Sequence, residues 1–527
     1  MALAVLPTSV FAALPLNLYY WIEFNEAMQY IDITASLPTD DNNELFINIP
    51  SRGVTALDIK PMFIETQDIS HYIKKFSFAS PTQVTFHYQL HMNNPYHHID
   101  APIIEEHFFQ LMGISSLTLP LYRGAEDAKI NIQFKNLPKN FTVVGSGGLV
   151  KSEAISFNGT LNEFSSYVLA GSDHNHVFHI GKKPVMAFSS TQQDAFPTTR
   201  MSNFETVATF QNTLMGDQDA RPFLLTSVTV PEDAFHSTLF SRHFRNTISL
   251  SIPEKKNEDG VVIAFARENF RHWLGGKLRA DIHHGQLLWF IGGVNDYFAN
   301  SSAHQSGVIS QETYIKNINN LLREYYLSPL QHQSYQQLVE KYSNDPYHNI
   351  AAQMRGNLAA LMLQGNTKKP LENEPLTRVI KNLLAVKGEK DYCVLSPELL
   401  DEHLKKELSA RQMKDFTRAI NTGKGLKLPK TLNDNELKLK QVKVLYPKFD
   451  FDMNAFTTKH VIKNIKPDSA SFKAGLRDGM EVIEYKMILH EPDKKVSIVT
   501  KINGAIKGFQ FLPDTDSATI PQYVSNA

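Results

Sequence analysis

Residues 266–273 read ARENFRHW and residues 287–297 read LLWFIGGVNDY, and these two stretches decide the fold. The first places Arg267 and Arg271 four residues apart with Glu268 between them. On a helix, side chains four residues apart project from the same face, so the two guanidinium groups should lie side by side.

The composition of the chain excludes several classes of protein. With 527 residues it is too long for one core, and about three domains are expected. A formal net charge of −1 gives no basic field for nucleic acid. A single cysteine, Cys393, excludes both an intrachain disulfide and a multi-cysteine zinc site. No apolar stretch reaches the roughly 18 residues that span a bilayer.

The first 175 residues predict a β-rich domain. Short segments in which apolar and polar residues alternate are separated by Asn, Asp, Pro and Gly, which is typical of antiparallel strands. The apolar residues 1–13 resemble the remnant of a secretory signal, although the basic n-region is missing. This leaves a secreted or periplasmic location open.

Residues 176–430 predict a mainly helical domain. Apolar residues recur at spacings of three and four in segments 314–325, 350–362 and 376–384, as on amphipathic helices that share one core. The lysine-rich residues 431–443 predict a linker. Residues 444–527 predict a small β-rich domain.

The two opening stretches resemble the glycyl aminopeptidase family of metallopeptidases, whose motifs are A-H-E-[FY]-F-H-x-W and L-L-W-x-x-E-G-x-T-x-Y. The resemblance implies a gluzincin with a thermolysin-like catalytic domain. It also implies that the zinc ligands are replaced, by Arg267, Arg271 and Gly292. Guanidinium groups offer only donors and glycine has no side chain, so none of the three can bind a cation. Glu268 keeps the position of the general base.

Four further residues are candidates for the same site. Residues 353–358 resemble a Y-x-[KR]-G-x-L segment in which Gln353 replaces a tyrosine that would stabilise the transition state. Residues 243–247 resemble the end of a substrate-binding segment, so that His243 and Asn246 are candidates for the cleft. Asp296 is a candidate partner for the two arginines, and such pairing would replace the metal ion by an ion-pair network.

The segment 461–483, VIKNIKPDSASFKAGLRDGMEVI, resembles the core of a PDZ domain. Such a domain binds an extended peptide by adding a strand to the edge of its sheet. The complete prediction is therefore a multidomain α+β protein with a β-rich N-terminal domain, a thermolysin-like helical domain and a C-terminal PDZ domain.

Alternative sites remain open. Glu268 with His272 or His283 could form a rearranged metal site, and the two arginines could instead bind a carboxylate or phosphate. In a second cluster, Asp173 and His174 lie next to His176 and His179, with a spacing compatible with metal binding.

The sequence favours a peptidase-derived protein without cofactor or zinc. We expect it to bind a peptide or protein through the former cleft or the PDZ domain, and expect neither nucleic-acid binding nor a membrane span. The competing hypothesis is an active metallo-aminopeptidase, or another hydrolase, with a rearranged metal site.

Overall fold

The computed structural model describes residues 16–25, 27–49, 54–69, 73–91, 101–121, 128–149, 154–191, 196–217, 222–231, 239–244, 246–255, 257–280, 285–341, 346–364, 370–386, 392–432, 437–488, 491–502 and 505–525. The chain forms two compact units. The N-terminal unit comprises Ala4–Thr209 and Gln218–His272, and the C-terminal unit comprises Met1–Leu3, Phe210–Asp217 and Trp273–Ala527. The suggested signal remnant, 1–13, lies outside the described residues.

The first part of the N-terminal unit is built from strands. In chain order they are β1 Leu16–Phe24, β2 Tyr30–Pro38, β3 Glu44–Asn48, β4 Val54–Lys60, β5 Glu65–Asp68, β6 Ile73–Ser77, β7 Gln83–His91, β8 Ile103–Glu105, β9 Phe108–Met112, β10 Leu119–Pro120, β11 Ala128–Lys135, β12 Thr142–Gly145, β13 Gly148–Leu149, β14 Ala154–Gly159 and β15 Val168–Ser172. Two short helices interrupt them, α1 Gly113–Ser116 and α2 Leu161–Ser165. The β-rich N-terminal region is thereby confirmed.

Alternation of side chains builds the main core of this region. Along β2 and β7 every second residue is buried, so one face of each strand packs inward. The strands form sheets in the orders β14-β11-β1-β2-β7-β4, β10-β3-β6-β5 and β13-β12-β15-β9-β8. The prediction of antiparallel pairing fails at one place, where β1 and β11 run parallel. Alternating burial is the same in both arrangements and does not determine strand direction.

The second part of the N-terminal unit combines a sheet with a buried helix. Its strands are β16 Asn175–Ile180, β17 Lys183–Ser189, β18 Leu224–Val230, β19 Phe240–Phe244 and β20 Thr247–Pro253. Its helices are α4 Glu258–Phe270 and the larger part of α3 Thr198–Met215, whose residues from Phe210 onward belong to the C-terminal unit. The sheet order is β16-β17-β18-β20-β19, which leaves β19 at an edge. Because this sheet occupies residues 175–253, the mainly helical region begins only at α4, later than the predicted start at 176.

Helices dominate the middle of the C-terminal unit. They are a π-helix at Trp289–Val294, α5 Asn295–Gln305, α6 Gln311–Leu327, α7 Tyr335–Lys341, α8 Pro346–Gln364, a 3-10 helix at Leu371–Asn373, α9 Pro375–Leu384, α10 Pro397–Glu407 and α11 Ala410–Thr422. A small parallel pair joins β21 Leu278–Ala280 to β22 Cys393–Leu395. The three helices predicted from apolar spacing correspond to α6, α8 and α9, so the helical middle region is confirmed.

The end of the chain returns to β-structure. Its elements are β23 Thr431–Leu432, β24 Leu437–Lys448, α12 Met453–Lys459, α13 Ala470–Lys473, β25 Glu481–Lys486, β26 Val496–Ile502, β27 Ala505–Phe511 and β28 Asp514–Ser525. Strand β24 pairs with β28 along its whole length. The predicted linker at 431–443 is therefore wrong for its described residues, which belong to strands. Strands β25, β26 and β27 form a separate antiparallel sheet over a core that includes Phe456, Ile462 and Leu476.

Within the described ranges, every helix is too short or too polar to cross a membrane.

Candidate functional site

Helix α4 carries Glu268 into the interior of the N-terminal unit. Eight of its thirteen residues are buried, among them Phe265, Ala266 and Phe270, because the helix packs against β19 and β20. A helix that is apolar on most sides belongs to a core. The Glu268 side chain is fully buried, whereas Arg267 and Arg271 retain about a third of their exposure, at 33% and 28%. Both arginine side chains are therefore partly exposed to solvent.

Both arginines bind the Glu268 carboxylate. Arg267 donates from Nε to Oε1 at 3.1 Å, and Arg271 Nε lies 3.4 Å from Oε2 in an ion pair. The hydroxyl of Ser241 also donates to Oε1, at 2.7 Å. It accepts in turn from Arg267 Nη2, at 2.7 Å. The result is a buried carboxylate held between two cations and a hydroxyl.

These contacts determine the charge of Glu268. Burial alone would raise the pKa of the carboxyl, because a low dielectric disfavours its charged form. Arg271, Arg267, the hydrogen bond from Ser241 and the charge of His243 outweigh burial, so the pKa lies below its usual value. Glu268 is therefore an ionised carboxylate at neutral pH, and its charge is compensated within the site.

The edge strand β19 supplies the other side of this group. Ser241 and His243 are two residues apart on the strand and so lie on the same face. Sequence reasoning selected His243 but missed Ser241, although the alternation of a strand was a signal that could have found it. Asn246 serves the scaffold, since its side-chain amide donates to the Ser146 carbonyl at 3.3 Å. Ser146 lies in the turn of the hairpin that joins β12 to β13.

Gly292 and Gln353 meet inside the C-terminal unit. A Cβ atom added at Gly292 would lie 2.6 Å from Gln353 Cγ and 2.7 Å from Cδ, closer than carbon atoms approach without strain. Nearby, a Cβ on Gly356 would lie 1.9 Å from the Trp289 carbonyl. The glycines thus allow the π-helix and α8 to pack backbone to backbone. The Gln353 side chain occupies the space in front of Gly292.

The predicted site residues are therefore divided between the two units. Arg267, Glu268, Arg271 and His243 come together in the N-terminal unit. Gly292, Gln353 and Asp296 belong to the C-terminal unit, where Asp296 lies half-buried in the first turn of α5. His283, considered as an alternative metal ligand, lies outside the described residues. The pairing of Glu268 with His272 stays a prediction.

The second predicted cluster forms only in part. Asp173 and His174 lie in the turn between β15 and β16 and gather with His107, which sequence reasoning did not select. His176 and His179 are exposed on β16 and do not belong to this group.

Comparison with known proteins relates this geometry to a family. Residues 280–360 match the profile of the M61 glycyl aminopeptidase family. These residues include the π-helix and most of α8, and therefore Gly292 and Gln353. A search of curated proteins finds no match.

A solved structure shares the fold of nearly the whole chain. It is the crystal structure of an aminopeptidase N family protein from Idiomarina loihiensis, with a TM-score of 0.65 and 14% sequence identity over 95% of this chain and 98% of that chain. At this identity the likeness concerns the fold. The profile match over residues 280–360 and the shared fold of nearly the whole chain together support a metallopeptidase-like assignment, with similarity to the M61 glycyl aminopeptidase family.

Proposed function

We propose that this protein is a pseudoenzyme: a peptidase-derived chain that lacks catalytic zinc and peptidase activity and acts by binding a peptide or protein. The observation that carries the proposal is the state of Glu268. The carboxylate at the general-base position is fully buried and is held by two guanidinium groups and a hydroxyl. A general base must have access to the water it deprotonates, whereas this buried carboxylate accepts hydrogen bonds at Oε1 and faces the Arg271 cation at Oε2.

The donor set at the family's ligand positions does not fit a zinc ion. Zinc sites in proteins use imidazole, thiolate or carboxylate ligands. Arg267 and Arg271 offer only N–H donors and a permanent positive charge. Their ion pair with Glu268 also places cations where a divalent ion would need lone pairs.

A steric contact within the C-terminal unit also supports the proposal. A glutamate at position 292 would restore the third family ligand, but its Cβ would meet the Gln353 side chain at 2.6 Å. Gly292 stands at the position of the ligand and Gln353 at the position of the transition-state tyrosine. The Gln353 side chain fills the space that a side chain at position 292 would need. A ligand at position 292 would therefore need changes on both the π-helix and α8.

For binding, the proposal uses the resemblance of residues 461–483 to a PDZ core. Those residues belong to a folded region with its own apolar core and a three-stranded antiparallel sheet. Its strand β27 lies at the sheet edge and exposes Ile506 to 71%. A free strand edge is the element to which a PDZ domain adds an extended peptide.

The catalytic half of the proposal is tested with fluorogenic glycyl and alanyl aminomethylcoumarin substrates. Wild-type protein and Glu268→Gln are compared with added Zn²⁺ and with chelator. We expect no turnover that depends on Glu268. Turnover that chelator abolishes and that Glu268→Gln lowers about 100-fold or more would instead establish an active metallo-aminopeptidase with a rearranged site.

The binding half is tested by selecting ligands for the full chain from a phage-displayed random peptide library. A selected peptide is then mapped by hydrogen exchange. Protection of residues 481–511 or of residues 240–271 on peptide addition supports the proposal and identifies the binding region. Failure of selected peptides to bind the purified chain, or protection confined to other regions, contradicts it.

A further inference from the structure

Two turns of the N-terminal unit bring two imidazoles and a carboxylate together, away from Glu268. His107 lies in the turn between β8 and β9, and Asp173 and His174 lie in the turn between β15 and β16. One possible ligand atom from each of the three side chains lies within 4.8 Å of the other two. We propose that His107, Asp173 and His174 bind one divalent transition-metal ion of the Zn²⁺ class.

The scaffold holds the two turns in a fixed relation. Strands β9 and β15 pair antiparallel, with Ser172 opposite Phe108. The buried Ser172 hydroxyl lies 2.8 Å from the His107 carbonyl and accepts from the His174 backbone N–H at 2.9 Å. One side chain therefore links the backbone of both histidines. A site that is preorganised in this way loses little freedom when it binds an ion.

The distances suit chelation. His107 Nδ1 lies 2.9 Å from Asp173 Oδ2, and His174 Nε2 lies 3.5 Å from Asp173 Oδ1. Two ligand atoms bound tetrahedrally to zinc at about 2.0 Å are about 3.3 Å apart. The observed separations bracket that value. The two imidazole rings face the same carboxylate, with centroids 4.7 Å apart.

An ion would also satisfy a polar atom that the described residues leave without a hydrogen bond. Asp173 Oδ1 is buried and has no such partner there. A carboxylate oxygen 3.5 Å from an imidazole nitrogen is too far for a good hydrogen bond but well placed for a shared cation.

The surroundings of His107 and His174 also favour metal binding. His107 keeps 46% of its side-chain exposure, so an ion can enter from solvent, whereas His174 keeps only 13%. On the outer side of the His107 ring, Nε2 lies 4.0 Å from a Glu106 carboxylate oxygen. Metal-binding histidines commonly direct their second nitrogen at such a carboxylate. Three protein ligands leave a coordination position open for water or for a group from a bound partner.

The site is tested on the tag-free full chain after removal of metal by chelator. Isothermal titration with ZnCl₂ is expected to give one equivalent in the wild type. His107→Ala and His174→Ala should each weaken binding at least about tenfold, as does loss of a zinc-site contact. His179→Ala, which removes an exposed histidine from the adjacent strand, is the matched control and should bind like the wild type.

Two further readouts separate metal binding from misfolding. Each variant without metal should have the wild-type circular dichroism spectrum. Zn²⁺ at 100 times its Kd should raise the thermal midpoint of the wild type by about 5 °C, and that of His174→Ala by much less. Co²⁺ should give a visible absorption band in the wild type that His107→Ala removes.

Glu268→Gln distinguishes this inference from the proposed function. The metal site predicts unchanged zinc binding in Glu268→Gln. Absence of zinc binding to the wild type, or equal binding by the wild type, His107→Ala and His174→Ala, would overturn the inference and leave the proposed function intact. Zinc that is retained in those variants and lost in Glu268→Gln would overturn both.

Discussion

At the scale of single residues, the proposed function depends on the contacts of Glu268. The carboxylate is fully buried, and in the proposed function it stands at the general-base position of the family motif. Buried charges persist in proteins when they are paired and hydrogen-bonded. Arg267, Arg271 and Ser241 provide that pairing within one unit. In this account the residue has changed from a catalytic group to the centre of an ion-pair network.

Replacing Glu268 by Gln should destabilise the N-terminal unit at neutral pH. The change leaves two guanidinium groups without their counter-charge, which we expect to cost about 2 to 3 kcal/mol, less than for a fully buried pair because both arginines reach solvent. Urea unfolding at pH 7 measures this cost. Glu205→Gln on α3, an exposed site, is the control and should change little.

The same variant should reveal the pH dependence of the site. Because the folded-state pKa of Glu268 is lowered, its contribution to stability is present above its usual pKa, near 4.5, and is lost as the pH falls through the lowered folded value. The difference in unfolding free energy between wild type and Glu268→Gln should therefore shrink below pH 4. A difference that stays constant from pH 7 to pH 3.5 would contradict the ionised pairing.

Gly292 gives a second test at this scale. Gly292→Ala gains helix propensity but places a Cβ 2.6 Å from Gln353 Cγ, so we expect a net loss of about 1 kcal/mol. With Gln353→Ala in the same chain, the added methyl should stabilise instead. A double-mutant cycle by denaturant unfolding measures the coupling. Additive effects would mean that the two side chains do not compete for the same space.

At the scale of elements, helix α8 is held by a buried arginine. Arg355 donates to the carbonyls of Ile420, Gln331 and Gln333 at 3.0, 3.3 and 2.9 Å. It thereby connects α8 to the end of α11 and to the turn before α7. This structural role explains the basic residue within the Q-M-R-G-N-L segment without any catalytic function.

Arg355→Ala should cost about 3 to 5 kcal/mol, because the fully buried side chain is lost and three carbonyls, those of Ile420, Gln331 and Gln333, lose their donor. Lysine cannot reproduce the planar fork, so Arg355→Lys should recover only part of the loss. Arg411→Ala on the exposed face of α11 should stay within about 0.5 kcal/mol of the wild type. Equal effects at positions 355 and 411 would exclude the proposed role of the buried arginine.

Strand β24 shows where local composition misleads. Its first residues alternate leucine with lysine, and the lysines are exposed. Such a pattern fits a strand with one solvated face, although a run rich in lysine also suggests a linker. If the paired strand is correct, backbone amides of residues 437–448 exchange slowly with solvent, while those of the irregular segment 424–430 exchange quickly. Rapid exchange across both segments would instead support the predicted linker.

At the scale of the whole molecule, the sequence predicts more of the scaffold than of the site. Alternating burial indicates the strands and apolar spacing indicates the helices, because both depend on neighbours along the chain. The grouping of His107 with His174 depends instead on the pairing of β9 with β15, across 67 residues of sequence. Spacing favoured His176, which is near in sequence but lies outside the group.

The motif residues were predictable, and their contacts were not. The end of α4 with its cap residue Arg271 places Arg267 beside Arg271 whatever the rest of the fold, but Ser241 reaches Glu268 only because β19 packs on α4. Likewise, the fit of Gln353 to Gly292 requires the close approach of α8 to the π-helix. The contacts of Glu268 and Gly292 therefore depend on packing between residues that lie far apart in the sequence.

The central claim is that Arg267 and Arg271 neutralise Glu268 in place of a metal ion. Anomalous diffraction on both sides of the zinc absorption edge, from crystals grown with Zn²⁺, tests it most directly. We predict no zinc peak within bonding distance of Glu268 and both guanidinium groups on its carboxylate. A zinc peak bonded to Glu268, with the arginines displaced, would contradict the account.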